Sequence, residues 1–264
     1  MRELPLLLVP GLMCDHTVWD PLRPHMETQS ECRVVDHGSA DSLLDMAVQL
    51  LKDAPPQFVV AGHSMGARVV LEAVRLAPHR IAGVALLDTG YLPKLTGAAG
   101  EEEVRKRFKL LQMAQDKGVR AMAREWVQGM VHPDRLADQE LIERILAMFD
   151  RKSADIFAKQ IHALIHRPDA TEVLKSIQVP TLILCGQQDA WSPPAQHEAM
   201  HQLVPQGALE IIANSGHMAP MEAPSAVADS MSRWLARCVA AERVAEKGYL
   251  GGCCCDASSA KCMP

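Results

Sequence analysis

No stretch of 18 apolar residues occurs anywhere in this 264-residue chain, so no segment is long and apolar enough to be expected to cross a bilayer as a helix. A basic excess is missing too. The chain has 27 Lys and Arg against 32 Asp and Glu, a net charge of −5, whereas a nucleic-acid surface needs the opposite bias. Neither a nucleic acid nor a membrane is therefore an expected partner. Paired Cys-x-x-Cys spacing is absent although there are eight cysteines. Cys14, Cys32, Cys185 and Cys238 are scattered and read as small buried apolar residues of a reducing, cytoplasmic compartment. The other four, Cys253, Cys254, Cys255 and Cys262, crowd a tail without histidine, GGCCCDASSAKCMP. It reads as a disordered terminus over 248–264, not as a metal site. Cys262 is third from the end, so the prenylation pattern is missing as well. The apolar run Leu4 to Cys14 follows only Arg2 and Glu3 and is not succeeded by a small-residue cleavage site, so it reads as a buried strand and turn instead of a leader. What remains is 48% apolar and 22% charged, the balance of a globular protein with a sizeable core.

Internal repeats are not evident. Apolar runs followed by helical patterns recur in the order a parallel sheet requires. The runs are Leu6 to Val9, Cys32 to Val35, Phe58 to Ala61 and Val84 to Leu87. A helix is expected at about 42–53, opened by the capping pattern Ser42-x-x-Asp45 and closed by Pro55-Pro56. Another is expected to end near Leu76. From about Tyr91 to Lys175 only helical patterns occur, about four, starting near Glu101, Gly118, Asp138 and Ser153. Alternation resumes with Thr181 to Cys185, a helix after Pro193-Pro194, a strand at Leu209 to Ala213 and a long helix from about Ser225. The expected organisation is an α/β core over 1–90 and 176–247, interrupted by an all-helical segment over 91–175.

Gly62-His63-Ser64-Met65-Gly66 has the form G-x-S-x-G between a strong strand and an amphipathic helix, the context this motif needs. A serine there sits on a cramped strand-to-helix turn, so the residues two before and two after must lack side chains. Its hydroxyl projects at the positive end of the helix, and the Met65 N–H can point at an oxyanion. Such a hydroxyl needs a base. Among eleven histidines, His217 follows the last strand directly and so lies at the carboxyl edge of the sheet. The base needs an acid to hold its tautomer. Asp189 follows the Thr181–Cys185 strand on the same edge.

In sum, the chain resembles an α/β-hydrolase-fold serine hydrolase of the small, helical-capped kind. The resemblance covers about residues 4–240 and rests on VPGL at 9–12, GHSMG at 62–66, LLD at 86–88, GQQD at 186–189 and SGHMAPMEAP at 215–224. Between positions 64, 189 and 217 lie intervals of 125 and 28 residues, room for the cap and for one helix plus one strand. It implies a sheet of about six parallel strands flanked by helices, with the helical cap inserted after the fourth. The implied triad is Ser64, Asp189 and His217, with no cofactor and no metal. Family members carry His-Gly-x after the first core strand, and the N–H of x completes the oxyanion hole. Here the dipeptide is Pro10-Gly11, which makes Leu12 the second donor and removes a side chain that often braces this loop. Members usually begin with an antiparallel hairpin, which this chain does not show.

Rival readings exist. Asp88 also ends a strand at the carboxyl edge and competes with Asp189 as the acid. His197-Glu198-Ala199-Met200-His201 matches the zinc signature H-E-x-x-H, with Glu222 as a conceivable third ligand, but a connecting helix with its polar face toward solvent is the expected setting. His162 and His166 lie one turn apart and read as a surface pair. His63 is expected to pack or hydrogen-bond below the elbow, Cys14 to be a wall residue, and Arg68 to be an ion-pair partner. Apolar cap residues, with Trp126 and Met130 foremost, and Met218 beside the base are expected to meet the substrate. No basic cluster stands beside the motifs, so small to medium uncharged esters are the expected substrates. Lactone opening, thioester cleavage and C–C hydrolysis use the same triad, and a ligand receptor on this fold is the alternative from another class. The oligomeric state is not legible.

Overall fold

The computed structural model describes residues 4–251. Six strands form one parallel sheet: β1 (Leu6–Val9), β2 (Cys32–Val34), β3 (Phe58–His63), β4 (Ile81–Leu87), β5 (Thr181–Gly186) and β6 (Ala208–Ile212). Their spatial order is β2-β1-β3-β4-β5-β6, and every neighbouring pair is parallel. The central strands β1, β3 and β5 are buried along their whole length, and β4 nearly so. That is why they read as continuous apolar runs without alternation. The edge strands β2 and β6 are only half-covered.

The helices in chain order are α1 (Arg23–Met26), α2 (Leu43–Asp53), α3 (Met65–Leu76), α4 (Gly97–Lys117), α5 (Val119–Trp126), α6 (Gln139–Asp150), α7 (Ala154–Ile165), α8 (Thr171–Ser176), α9 (Pro194–Leu203), α10 (Ala219–Glu222) and α11 (Pro224–Gly251). Ser42 caps α2 as its pattern requires, with its hydroxyl accepting from the Asp45 N–H at 3.0 Å. Ser153 does the same for α7.

Chain direction explains where a site can form. From β1 the chain crosses to β2 on one side, and from β3 it proceeds to β4 on the other. Crossovers are right-handed, so α1 and α3 fall on opposite faces of the sheet. A crevice opens where the order reverses, at the carboxyl ends of β1 and β3. The loop after β1 and the turn after β3 meet there.

Between β4 and β5 every regular element is helical, α4 to α8 with short 3-10 turns between them. Five helices occur where about four patterns are legible; the brief α8 was the one hidden, as were the single-turn α1 and α10. Helix α11 runs to Gly251, past the expected boundary at 247. The four tail cysteines lie outside the described residues.

Candidate active site

Strand β3 ends in the turn that carries Ser64, whose backbone sits at φ 55° and ψ −117°. A non-glycine residue is rarely found there, and holding it costs on the order of 1–3 kcal/mol. The flanking glycines make the turn possible. A methyl group on Gly62 would lie 2.5 Å from the Ala67 backbone, and one on Gly66 would lie 2.1 Å from the Val9 carbonyl oxygen. No side chain fits at either position, because the obstacles are backbone atoms.

The Ser64 hydroxyl donates to Nε2 of His217 at 2.8 Å. Nδ1 of the same ring donates to Oδ2 of Asp189 at 2.8 Å; a carboxylate can only accept, which places the ring proton on Nδ1. The other Asp189 oxygen accepts the N–H groups of Trp191 and Ser192, each at 2.9 Å. Burial by itself raises the Asp189 carboxyl, but the His217 ring and these two N–H groups outweigh it and hold the group below the usual carboxylate range. Asp88 is placed differently. Its Oδ1 accepts from the Gly186 N–H at 3.0 Å, while Oδ2 has no partner among the described residues and stands 3.6 Å from Nε2 of His63. Burial, and then the charge on Asp189, push the Asp88 carboxyl well above its ordinary range.

Two N–H groups border the serine. Met65 is the first residue of α3, where no intrahelical acceptor exists for its N–H, and the Leu12 N–H donates to no described group. The loop carrying Leu12 is braced despite Pro10. His37 donates to the Pro10 carbonyl at 2.9 Å, and the Met13 N–H, at φ 62°, donates to Gln160 of α7 at 2.8 Å. His63 donates through Nε2 to the His217 carbonyl at 2.8 Å; burial, helped by His217, pulls it down to about 3, so it stays neutral.

The loop bearing His217 is organised by Glu222, a buried carboxylate on α10. One oxygen accepts the Gly216 and Met218 N–H groups, both at 3.0 Å, and the other accepts the His132 N–H at 2.7 Å. Arg135 donates to the Glu222 carbonyl. The His217 N–H donates to the Met130 carbonyl at 2.8 Å. His217 is thus tied to the segment between α5 and α6.

A cavity of about 610 Å³ opens over Ser64. Met130, Trp126 and Met218 line it, as do Phe157 and Cys14. The ring of Trp126 stacks on Trp191 at 5.4 Å, and Trp191 lies 4.8 Å from the His217 ring. Burial pushes the Cys14 thiol up to about 12, which keeps it a protonated wall residue. Other apolar cap residues go elsewhere: Phe108 is exposed, whereas Met122, Met148 and Phe149 are packed inside the helical segment. A separate hollow between α5 and α6, about 740 Å³, is lined by none of the candidate site residues.

Three expectations need correction. His197 does not face solvent; it is fully buried, its Nε2 accepts the Thr89 N–H at 3.0 Å and its Nδ1 meets the Pro193 carbonyl at 3.3 Å. Nε2 of His201 meets the Gly207 carbonyl at 3.1 Å, and Glu222 accepts three N–H groups, so all three spend their polar atoms on backbone. Among the described residues no group of three potential ligands gathers. Among the described residues Arg68 has no carboxylate within ion-pair distance; it donates to the Leu92 carbonyl at 3.0 Å. And a basic cluster does border the cavity, assembled from Arg68 on α3 with Arg107 and Arg167 from the helical segment. Sequence reading also missed Trp191, Gln160 and the role of Glu222; the only signal was their nearness to motifs, and for Gln160 there was none.

The alpha/beta hydrolase family model matches residues 6–230. An uncharacterized hydrolase of Bacillus subtilis is 26% identical over 184 residues, 68% of this chain, and the chain spans just under two thirds of its length, 65%. The pimeloyl-[acyl-carrier protein] methyl ester esterase of Photobacterium profundum is 25% identical over 222 residues, 80% of this chain and 87% of that protein. Among solved structures, a thermophilic esterase from Thermogutta terrifontis with malate bound superimposes with a TM-score of 0.78 at 28% identity, covering 90% of this chain and 91% of that one. No helix among the described residues is long and apolar enough to cross a membrane.

Proposed function

The chain belongs to the alpha/beta hydrolase family, and from that premise we propose that it is a serine hydrolase of carboxylic esters that works through an acyl-enzyme. The observation that carries this reading is the unbroken hydrogen-bond path from Ser64 Oγ through His217 to Asp189, with two 2.8 Å links. In this mechanism Ser64 Oγ bonds to the ester carbonyl carbon while its proton passes to His217 Nε2. The Leu12 and Met65 N–H groups hold the oxyanion, each contributing about 3 kcal/mol. The tetrahedral intermediate collapses, the C–O bond to the alcohol breaks, and His217 returns the proton to the departing oxygen. Water then gives a proton to His217 as it attacks the acyl carbon, the bond from that carbon to Ser64 Oγ breaks, and His217 returns the proton to Oγ as the carboxylic acid leaves. Asp189 stays ionised and steadies the imidazolium, which its lowered pKa favours.

The helical segment 91–175 acts in this reading as a cap, with Trp126, Met130 and Met218 meeting the substrate. The similarity to an esterase solved with malate bound and to a methyl ester esterase supports an ester substrate. The test is turnover of p-nitrophenyl acetate and butyrate. Ser64→Ala should abolish it, a phosphonate should label Ser64, and EDTA should leave it intact. Retention of more than a few per cent of activity by Ser64→Ala would overturn the mechanism.

A further inference from the structure

The chain as a whole carries a charge of −5, yet one end of the cavity over Ser64 is basic. Arg68, Arg107 and Arg167 border it with Glu103, and Lys106, Lys109 and Glu125 stand at its rim. That makes five basic side chains against two acidic ones.

The pairing inside this group is uneven. Arg167 makes two contacts with Glu103, at 2.7 and 2.8 Å, and Arg107 binds the same carboxylate at 2.9 Å. Glu103 is therefore consumed by two guanidinium groups. The third, Arg68, is held beside them because its Nη1 and the Nε of Arg167 donate to one shared acceptor, the Leu92 carbonyl, at 3.0 and 3.3 Å. A carbonyl dipole satisfies one donor and neutralises nothing. Burial and then the neighbouring Arg167 pull the Arg68 guanidinium down to about 9, the signature of a cation short of a counter-charge. Nη2 of Arg68 faces Gly90: a methyl group there would come within 3.0 Å of Nη2 and 2.3 Å of Nε2 of Gln196. Gln196, which also lines the cavity, makes no side-chain hydrogen bond among the described residues. Two unengaged donor groups thus converge on one corner.

Position ties this corner to the chemistry. Ser64 stands at the cap of α3 and Arg68 in its first turn, and both line the same cavity. Gathering like charges around a partly dry cavity costs free energy unless something negative completes it. Glu103 answers two of the three guanidinium groups, and Arg68 has no carboxylate of its own among the described residues, so an anion is called for there, and the flat fork of a guanidinium fits a carboxylate oxygen pair.

We propose that the substrate is an ester carrying a free carboxylate a few bonds from the scissile carbonyl, bound at its charged end by Arg68 and Gln196 under helix α4. This rests on the ester-hydrolase reading and names its substrate class, replacing the uncharged ester expected from the sequence. Half-esters of short dicarboxylic acids are the simplest members. Hydrolysis of one consumes a water and releases an alcohol and a dicarboxylate.

The experiment compares monomethyl glutarate and monomethyl adipate with their dimethyl esters by titrating released acid. A charge-assisted hydrogen bond predicts a ten- to hundredfold higher kcat/KM for the half-ester, expressed mainly in KM and shrinking as salt is raised. In Arg68→Met the preference should fall below about threefold, and Arg68→Lys should restore part of it. Because a truncated arginine could disturb folding, circular dichroism accompanies each variant, and glutarate itself is titrated into the wild-type protein while tryptophan emission is followed, to which Trp126 and Trp191 at the cavity contribute. Saturable quenching by glutarate, absent with dimethyl glutarate, is the expected result. Equal turnover of half-esters and diesters overturns the anion site and leaves the esterase standing, as does an undiminished preference in a folded Arg68→Met. Glutarate binding without turnover of any ester overturns the esterase and leaves the anion site.

Discussion

Exchanging Asp189 for Asn and Asp88 for Asn are chemically identical substitutions with opposite expected consequences. At position 189 the oxygen that accepts from the Trp191 and Ser192 N–H groups survives in the amide. The NH₂ is then forced into the place of Oδ2, 2.8 Å from His217 Nδ1. That NH₂ can only donate, so Nδ1 must become the acceptor and the ring proton moves to Nε2, where it faces the Ser64 hydroxyl and cannot take a proton from it. The negative charge that steadies the imidazolium is lost at the same time. In a serine-protease triad the same exchange costs about 10⁴ in kcat, or about 5.5 kcal/mol of transition-state stabilisation. Asp88 is the control. Its carboxyl is pushed well above the usual range by burial and by Asp189, so its surroundings disfavour the charge that an amide would remove. Its one bond, from the Gly186 N–H, can be kept by the amide oxygen. Asp88→Asn should lose less than about tenfold. Steady-state kinetics on p-nitrophenyl butyrate at pH 8, with melting temperatures to establish folding, give the ranking, and the double variant tests for substitution of one acid by the other. If Asp88→Asn proves the more damaging in a folded protein, or Asp189→Asn stays within tenfold of wild type, the assignment of the acid is wrong.

Glu222→Gln should lower kcat by at least tenfold and destabilise the fold by about 2 kcal/mol, because the amide's NH₂ must face an N–H that formerly had an acceptor; an unaltered kcat and melting temperature would show that the His217 loop holds itself. His197 is depressed to about 4 by burial against about 6.5 in an unfolded chain. As pH falls below 6.5 the unfolded state takes up a proton that the folded state refuses, so stability present above 6.5 is lost on acidification, at about 1.4 kcal/mol per pH unit. Urea titrations of His197→Gln should therefore show about 3 kcal/mol less acid destabilisation between pH 6.5 and 4 than wild type, and parallel curves would refute the buried neutral imidazole. Gly66→Ala places a methyl group 2.1 Å from the Val9 carbonyl oxygen; the expected outcome is a fall in melting temperature of more than 10 °C or failure to fold, checked by circular dichroism.

What could be read ahead of the structure was whatever the backbone enforces locally. Gly62 and Gly66 announce the elbow because atoms a few residues away, and the Val9 strand beside them, exclude any side chain. The order Ser64, Asp189, His217 is legible because each follows an apolar strand and so reaches the same sheet edge. Residues that act across the fold left no such mark. Gln160 reaches Met13 over 147 positions, and Arg68 shares the Leu92 carbonyl with Arg167, far along the chain. Arg68 was expected to be an ion-pair partner, and only the folded helical segment brings Arg107 and Arg167 to it. His197 was misjudged for a related reason: its helix is polar in composition, and nothing local signals that Thr89 offers an N–H beneath it.

The carboxylate of Glu222 grips backbone from two parts of the chain at once, the turn that bears His217 and the residue His132 in the cap, while Met130 of that cap holds the His217 N–H. In mechanical language this is an interlock. On the proposed mechanism, swinging this segment open would pull on His217, so water entering with the segment displaced would find no poised imidazole to activate it. Exchanging caps between relatives would then transplant activity only if the segment around Met130 and His132 travelled together with Glu222.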